Sequence, residues 1–267
     1  MGMKLKKALQ EGRVVNVFAL GQVCHPKLVE IAALAGGFDA VWLDHEHAGL
    51  STAQMEQAAL AARASGLDSF VRLAPTDYAS VMRCLETGAG GVMAAQVRSA
   101  KQVEEVVRWS KFHPQGLRGV NGLGTDGRYG TLPLGDYLAR ANADTFIAIQ
   151  IEHADAVEEV EAIARVPGVD VLFIGPADLA QSYGLPGVWD HPRLWAAVER
   201  VAAAARAAGI HWAILPLGPA HARRCVDLGC RMLSIGFDVW AFSRGIKSFQ
   251  TDYADFFSAS PPAGGWS

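Results

Sequence analysis

The stretches Phe146-Ile-Ala-Ile-Gln-Ile-Glu152 and Val169-Asp-Val-Leu-Phe-Ile-Gly-Pro-Ala-Asp178 decide the fold class of this 267-residue chain. Each contains a short apolar run, which is typical of a strand buried on both faces. A helical segment, residues 154–164, separates the two runs. Strand, helix and strand in this order indicate two parallel strands joined by a crossover helix.

The same alternation extends in both directions along the chain. Eight apolar runs are predicted as strands, each followed by a helical stretch, at residues 14–20, 40–43, 69–73, 91–95, 146–151, 169–174, 211–215 and 232–235. Eight strand–helix units at this length favour an α/β fold of the closed (β/α)8 TIM-barrel type. A doubly wound open sheet is the alternative, but the first strand–helix junction, Gly21-Gln-Val-Cys24, lacks the GxGxxG phosphate fingerprint.

Composition agrees with one large domain that has a substantial core. Hydrophobic residues make up 51% of the chain and charged residues 19%, so neither disorder nor a small disulfide-stapled scaffold is indicated. We expect a single barrel domain over residues 1–257 and a flexible tail over residues 258–267, which are rich in Pro, Gly and Ser. A net charge of −3 argues against a dedicated nucleic-acid-binding protein.

The number and spacing of cysteines and the hydropathy of the chain indicate its cellular compartment. The four cysteines include no CxxC pair, which favours a reducing compartment and a cytoplasmic protein. The basic N-terminus is not followed by the apolar stretch of a signal peptide. The most membrane-like window, residues 201–220, contains Arg206 and Pro216 and breaks at Gly209. We therefore expect a helix and a strand there, and no membrane partner.

Two carboxylates follow neighbouring strands. Glu152 closes a buried run, and Asp178 comes after the next strand along the chain. Because the active sites of such barrels lie at the carboxyl ends of the strands, both side chains are expected there. With Gln150 nearby, they would form an oxygen-donor site suited to Mg²⁺ or Mn²⁺. A salt bridge for Glu152 and a helix cap for Asp178 are the structural alternatives.

The second and third strands also end in charged residues. The run Asp44-His-Glu-His47 has three interpretations: a solvated turn, an HxH metal site, or an acid/base histidine held by nearby carboxylates. Arg72 offers a planar fork of donors to a carboxylate or enolate oxygen. Its structural alternative is an ion pair with Asp44 or Glu46.

A Gly-rich segment lies between the fourth and fifth strands. Residues 116–130 contain six glycines, but no GK[ST] follows them, so they are not a Walker phosphate-binding loop. We predict a mobile or tightly turning loop. Its Arg118 and Arg128 are interpreted either as exposed charges or as substrate contacts.

Five segments of the sequence match the motifs of one known family in the same order. The first, Phe38-Asp-Ala-Val-Trp-Leu-Asp-His-Glu-His47, resembles the GFD…(I/L)DxEH segment of the HpcH/HpaI family of metal-dependent pyruvate aldolases. The other four are Val71-Arg72, Leu85-Glu-Thr-Gly-Ala-Gly-Gly-Val92, His113-Pro-Gln-Gly-Leu-Arg-Gly119, and Ile149-Gln-Ile-Glu152 together with Phe173-Ile-Gly-Pro-Ala-Asp-Leu179. The resemblance extends over residues 5–257 and is specific at the superfamily level because the five segments occur in register.

The resemblance implies a metal site and a substrate site. It implies a divalent cation, Mg²⁺, Mn²⁺ or Co²⁺, on Glu152 and Asp178. The substrate carboxylate would be held by the backbone at Ala177 and Asp178. Arg72 would contact the keto or enolate oxygen, and Gln150 would lie beside the substrate.

The resemblance also implies an acid/base pair. His47 would be the acid/base residue, and Glu86 occupies the position of its aspartate partner in family members. Three further residues or segments depart from the family pattern: His45 fills the variable position of DxEH, His153 follows the metal-binding glutamate, and the segment Gly91-Val-Met-Ala-Ala95 lacks a proline. These departures bear on substrate choice more than on reaction type.

The predicted reaction is the reversible aldol cleavage of a 4-hydroxy-2-oxo acid to an aldehyde and pyruvate or a hydroxypyruvate-like donor. No lysine lies at a predicted strand end, which disfavours a Schiff base. One alternative is a related acyl-CoA lyase or decarboxylase, although the sequence has no evident basic cluster for the CoA phosphates. The other is a non-catalytic oxo-acid-binding protein, against which the complete set of His47, Arg72, Glu152 and Asp178 argues.

The last predicted helix, within residues 239–257, bears on assembly. It contains six aromatic residues, more apolar surface than a peripheral helix needs. A helix packed on its own barrel is the simpler interpretation. The family resemblance implies instead a homohexamer in which this helix is exchanged between subunits.

Overall fold

The computed structural model describes residues 3–257, so the tail predicted at residues 258–267 lies outside the described residues. Eight parallel strands form a closed barrel in chain order, with β8 paired to β1. This confirms the predicted (β/α)8 barrel and excludes the open sheet. The strands are β1 (Val15–Leu20), β2 (Ala40–Asp44), β3 (Asp68–Leu73), β4 (Gly91–Ala94), β5 (Phe146–Ile151), β6 (Val171–Ile174), β7 (His211–Ile214) and β8 (Met232–Phe237).

The helices surround this barrel. They are α1 (Lys4–Gln10), α2 (Pro26–Ala35), α3 (Thr52–Ala64), α4 (Tyr78–Glu86), α5 (Ala100–Ser110), α6 (Leu134–Asp144), α7 (Ala154–Glu158), α8 (Val160–Ala164), α9 (Pro176–Ser182), α10 (Pro192–Ala208), α11 (Pro219–Asp227) and α12 (Asp238–Asp252). Short 3-10 helices cover Arg128–Gly130 and Ala254–Phe256. None of the helices in the described part of the chain is long and apolar enough to cross a membrane.

Local sequence explains several helix boundaries. Ser51 caps α3 in a reciprocal capping box with Gln54, and Asp77 caps α4 through the N–H of Ser80. The single helix predicted over residues 154–164 is instead two short helices that meet at Glu159. Helix α1 was not predicted, because its seven residues include three lysines that obscure the apolar pattern.

Two apolar layers hold the molecule together. The outer layer lies between the strands and the surrounding helices. The inner layer fills the barrel and includes the large side chains of Trp42, Phe70, Met93, Phe146 and Phe173. Buried residues of α1 join the inner layer, so this helix covers the amino-terminal end of the barrel.

The inner layer determines which polar side chains face the barrel interior. Side chains two residues apart on a strand share one face. Asp44 therefore faces inward with Trp42, and Arg72 faces inward with Phe70. Gln150 lies two residues after Ala148 of the same interior layer. The sheet thus directs the predicted polar residues into one space above the apolar core, at the carboxyl ends of the strands.

Candidate active site

Arg72 is held in place by Asp44 on the neighbouring strand. Its Nε lies 3.0 Å from Oδ1 and its Nη2 2.7 Å from Oδ2 of that carboxylate. The guanidinium also lies over the Trp42 ring, 4.7 Å from the ring centroid, and 3.5 Å from Oε2 of Glu46. Both Arg72 and Asp44 are buried. The pair fixes the guanidinium plane and leaves Nη1 as the nitrogen outside this two-point contact.

Glu152 lies just beyond β5 and is almost completely buried, with 2% of its surface exposed. The Gln96 backbone N–H lies 2.7 Å from Oε1, and Gln150 Nε2 donates to Oε2. Burial raises the pKa of Glu152 to about 7, and the nearby charges of Glu46 and Asp178 add to this rise. The negative charges of neighbouring carboxylates repel the ionised form of Glu152, and a bound cation would relieve this repulsion.

Asp178 lies in the first turn of α9, directly after Gly175, Pro176 and Ala177. Gly175 allows this turn to approach the end of β5. A Cβ at position 175 would lie 2.8 Å from Gln150 Nε2 and 2.9 Å from Glu152 Oε2. A side chain there would therefore displace the carboxylate, so the glycine keeps the space beside Glu152 open.

The chemistry of these donors fits a hard divalent cation. Gln150 Oε1 and Glu46 Oε2 are buried and have no hydrogen-bond partner. Within residues 3–257, no group of three or more His, Cys, Asp or Glu side chains is positioned as a complete metal-ligand set. Two carboxylates with water and substrate oxygens suffice for Mg²⁺, which commonly binds in this way. The HxH metal site considered for His45 and His47 has no support in this geometry.

His47 is the accessible imidazole of the DHEH run, with 57% of its side chain exposed. Its backbone N–H donates to Asp44 Oδ1 at 3.1 Å, and its Nε2 lies 3.8 Å from Glu46 Oε2. His45 differs, because its Nδ1 is buried without a partner and its backbone N–H donates to the Arg72 carbonyl. Of the two histidines, His47 is therefore the one whose imidazole is more accessible to a bound molecule.

Glu86 is not beside His47 in this chain. It is the last residue of α4, which runs from the carboxyl end of β3 to the amino end of β4. The pKa of Tyr137 is raised, first by burial and next by its hydrogen bond to Asp126. The charge of Glu86 adds to this rise, so Glu86 lies near Tyr137. This places Glu86 at the opposite end of the barrel. Among residues 3–257, the carboxylate that lies beside the His47 imidazole is that of Glu46, at 3.8 Å.

Sequence reasoning missed two residues of this region. Gln96 has a left-handed backbone with φ 58° and contributes its N–H rather than its side chain, so no side-chain pattern reveals it. Asp238 is fully buried and accepts the N–H groups of Gly21 and Val23, each at 2.8 Å. It fixes the loop after β1, and its position directly after β8 was an available signal.

Comparisons with known proteins show which family the chain resembles. A family model described as HpcH/HpaI aldolase/citrate lyase matches residues 16–244. A 4-hydroxy-2-oxovalerate aldolase of Novosphingobium aromaticivorans is 35% identical over 245 residues, 90% of each chain. A 5-keto-4-deoxy-D-glucarate aldolase of Klebsiella pneumoniae is 32% identical over 236 residues, 88% of this chain and 91% of that protein. The crystal structure of an HpcH/HpaI aldolase from Desulfitobacterium hafniense superposes with a TM-score of 0.89 at 32% identity, covering 97% of this chain and 100% of that one.

Proposed function

The chain belongs to the HpcH/HpaI aldolase/citrate lyase family and is a carbon–carbon lyase, and from this premise we propose that it is a metal-dependent pyruvate aldolase. The reaction is the reversible cleavage of a 4-hydroxy-2-oxo acid to an aldehyde and pyruvate, or a hydroxypyruvate-like donor. The observation that carries the proposal is the buried Glu152, with its raised pKa, at the same end of the barrel as the fixed guanidinium of Arg72. One relative's name, 4-hydroxy-2-oxovalerate aldolase, denotes a substrate of this class.

Glu152 and Asp178 would hold the divalent cation, Mg²⁺, Mn²⁺ or Co²⁺. When bound, the cation supplies Lewis-acid stabilisation of the negative charge that develops on the oxo group during carbon–carbon cleavage. Gln96 and Gln150 keep the Glu152 carboxylate in place through their N–H groups. The oxygen-only donor set supports a hard cation over a thiophilic one.

Arg72 and the start of α9 orient the oxo acid. Arg72 donates from Nη1 to the enolate oxygen, while Asp44 holds the other two guanidinium nitrogens. The backbone at Ala177 and Asp178 receives the substrate carboxylate at the first turn of the helix. Gln150 lies beside this position, and its unpartnered Oε1 is available to a substrate hydroxyl.

His47 removes the proton from the C4 hydroxyl as the carbon–carbon bond breaks, and this proton then goes to C3 of the enolate, which forms the methyl group of pyruvate; in the aldol direction both transfers run in reverse. Glu46 orients the imidazole within one chain. Because Glu86 lies at the other end of the barrel, the pairing of His47 with Glu86 that the family resemblance implies requires Glu86 of a second copy of the chain.

The last helix supports self-association. On α12, Phe242, Ile246 and Phe249 lie on one side of the helix and are each half exposed or more, and the helix packs mainly against β8 and β1. An apolar face of this extent is typical of a subunit interface. We propose a cytoplasmic homo-oligomer, a hexamer in which α12 is exchanged between subunits, with small-molecule substrates and neither nucleic acid nor membrane as partner.

Chelation tests the proposed function. A 4-hydroxy-2-oxo acid is incubated with the protein, and pyruvate release is measured before EDTA treatment, after it, and after Mg²⁺, Mn²⁺ or Co²⁺ is restored. We expect EDTA to abolish activity and the cation to restore it, while Glu152→Gln stays inactive throughout. Full activity after rigorous chelation contradicts the proposal. An acyl-CoA substrate cleaved faster than the oxo acid supports the alternative lyase.

A further inference from the structure

The barrel has a second cavity at the end opposite the candidate active site, with a volume of about 560 Å³. It lies between the amino ends of β3, β4 and β5 and the Gly-rich loop that follows α5. It shares no residue with the site at the carboxyl ends of the strands. The charged residues of its wall are five cations, Lys4, Arg63, Arg118, Arg128 and Arg140, and three carboxylates, Asp68, Asp126 and Asp144.

The carboxylates of this wall do not neutralise its cations. Five positive and three negative side chains line the wall, and the charge of Glu86, which acts on Tyr137 of the wall, reduces the formal excess to one positive charge. Asp68 accepts the Leu5 backbone N–H at 2.6 Å, so one of its two carboxylate oxygens already has a hydrogen-bond donor. Asp126 accepts hydrogen bonds from Arg118 at 2.5 Å and from Tyr137 at 2.6 Å. In the part of the chain that the structure describes, Arg63, Arg128 and Arg140 have no ion pair.

Arg118 carries a buried hydrogen-bond donor in the wall of this cavity. Only 3% of its side chain is exposed, and its guanidinium lies over the Phe112 ring, 4.7 Å from the centroid. Its Nε is buried and has no hydrogen-bond partner, and Oδ1 of Asp126 is in the same condition. A buried donor and a buried acceptor left unpaired are each costly. A ligand that brings both an oxyanion and a hydroxyl group would satisfy the two together.

On the other side of the wall, the end of α4 packs closely against the Gly-rich loop. Gly88, at φ +87°, follows α4, and a Cβ built there would lie 2.6 Å from Thr125 Cγ2 and 3.6 Å from Arg63 Nη1. The arginine of α3 and the threonine of the Gly-rich loop therefore meet at the same point. Lys4 lies nearby, donating to the Gly66 carbonyl at 3.1 Å. Cations from α1, α3 and the loop thus converge on one space.

We propose that this cavity is a second ligand site, which binds a small organic oxyanion that also carries a hydroxyl group. A phosphate monoester and a hydroxycarboxylate share this chemistry. Guanidinium groups bind either oxyanion through charge-assisted hydrogen bonds. The ligand would join α1, α3 and the Gly-rich loop, and it would therefore stabilise the folded chain by mass action.

Binding of glycerol 3-phosphate, glycerate and inorganic phosphate tests the proposal. Calorimetry and thermal unfolding are followed in EDTA, so that no cation recruits the anion to the other site, and at ionic strength matched with NaCl. We expect saturable binding of glycerol 3-phosphate or glycerate and a rise in Tm. The Arg63→Gln/Arg140→Gln double variant should weaken binding by at least about tenfold. Its aldolase activity should equal that of the wild type.

The matched control loses the same charge elsewhere. Arg165→Gln/Arg206→Gln removes two exposed arginines outside the cavity wall and should bind as the wild type does. Arg118→Lys keeps the charge but loses the buried Nε–H, and it should also weaken binding if it folds. The proposal is overturned if the wild type shows no saturable binding, or if both double variants bind equally. Binding of inorganic phosphate alone, unaffected by the cavity variants, would identify an adventitious ion only and would also overturn it.

Discussion

Arg72 and Asp44 form a buried two-point ion pair across neighbouring strands, with nitrogen–oxygen distances of 3.0 and 2.7 Å. Their Cα atoms are partners in the parallel register of β2 and β3, so the sheet itself brings the two charges together. The sequence left open whether Arg72 is a structural partner of Asp44 or a substrate contact. The geometry makes the two compatible, because the pair uses Nε and Nη2 and leaves Nη1.

Replacing Arg72 by lysine should damage chemistry more than folding. Lysine keeps the charge but has one donor group instead of a planar fork, so it cannot hold Asp44 and face the enolate oxygen together. We expect kcat/KM to fall by at least about 10²-fold, as when one oxyanion donor is removed. Proton exchange at the pyruvate methyl, followed by NMR in D₂O, should fall in parallel because it needs the same enolate.

Two further measurements separate this from a structural role. Mg²⁺ binding to Arg72→Lys should match that of the wild type, since Arg72 is not a proposed ligand. If Arg72 only paired with Asp44, the variant would have a lower melting temperature, while proton exchange at the pyruvate methyl, per folded molecule, would stay unchanged. Unchanged exchange in a well-folded variant would remove Arg72 from the active site.

Glu152 should make the chelated protein less stable as pH rises. Its pKa is about 7 in the folded state, against an ordinary value of 4.5. Between these values the folded state retains a proton that the unfolded state has released, so the free energy of unfolding falls as pH rises. The fall is complete above pH 7 and amounts to at most about 3 kcal/mol. Urea unfolding in EDTA at pH 5 and pH 7.5 measures it.

Glu152→Gln is the control, because glutamine keeps the shape and does not titrate. Its stability should change less over the same pH range. The cation requires the ionised carboxylate, so metal affinity of the wild type should rise with pH and level off above pH 7. An equal pH slope in the wild type and in Glu152→Gln would show that another group is responsible.

His47 and His45 should differ sharply on substitution. His47→Ala should lower kcat by about 10²-fold or more, in the range of general acid–base groups, with little change in metal affinity. His45→Ala should have a smaller effect on kcat, since its Nδ1 is buried away from solvent. Steady-state kinetics with Mn²⁺ titrations on both variants decides between them. The assignment is wrong if His45→Ala is the damaging change and His47→Ala is harmless.

The sequence identified functional side chains more readily than functional backbone groups. Arg72, Glu152 and Asp178 are recognisable because each places a charged side chain where an apolar strand ends, and burial of such a charge needs a reason. Gln96 acts through its N–H, which every residue except proline has, so only its left-handed φ distinguishes it. The proximity predicted for His47 and Glu86 is not met within one chain, because α4 carries Glu86 to the other end of the barrel.

The aromatic face of α12 should hold subunits together. We expect light scattering at micromolar concentration to give the mass of a homo-oligomer, six times the chain mass for the proposed hexamer. Phe242→Ser/Phe249→Ser, which removes two exposed rings from the same side of α12, should shift the mass downward. Leu123→Ser, an exposed apolar residue of the Gly-rich loop outside α12, serves as the control. A monomeric wild type refutes the proposed assembly.

Gln96 should position the Glu152 carboxylate through its backbone conformation. Its φ of 58° directs the N–H to Oε1 at 2.7 Å, and this left-handed conformation costs an ordinary residue about 1–2 kcal/mol. Gln96→Gly and Gln96→Val both keep the N–H, but glycine tolerates the conformation and the β-branched valine strongly disfavours it. We therefore expect Gln96→Gly to bind Mn²⁺ as the wild type does, and Gln96→Val to bind it roughly tenfold more weakly. Calorimetric Mn²⁺ titrations of the three proteins measure this, and equal affinity in Gln96→Val and the wild type would show that the side chain of Glu152 needs no such support.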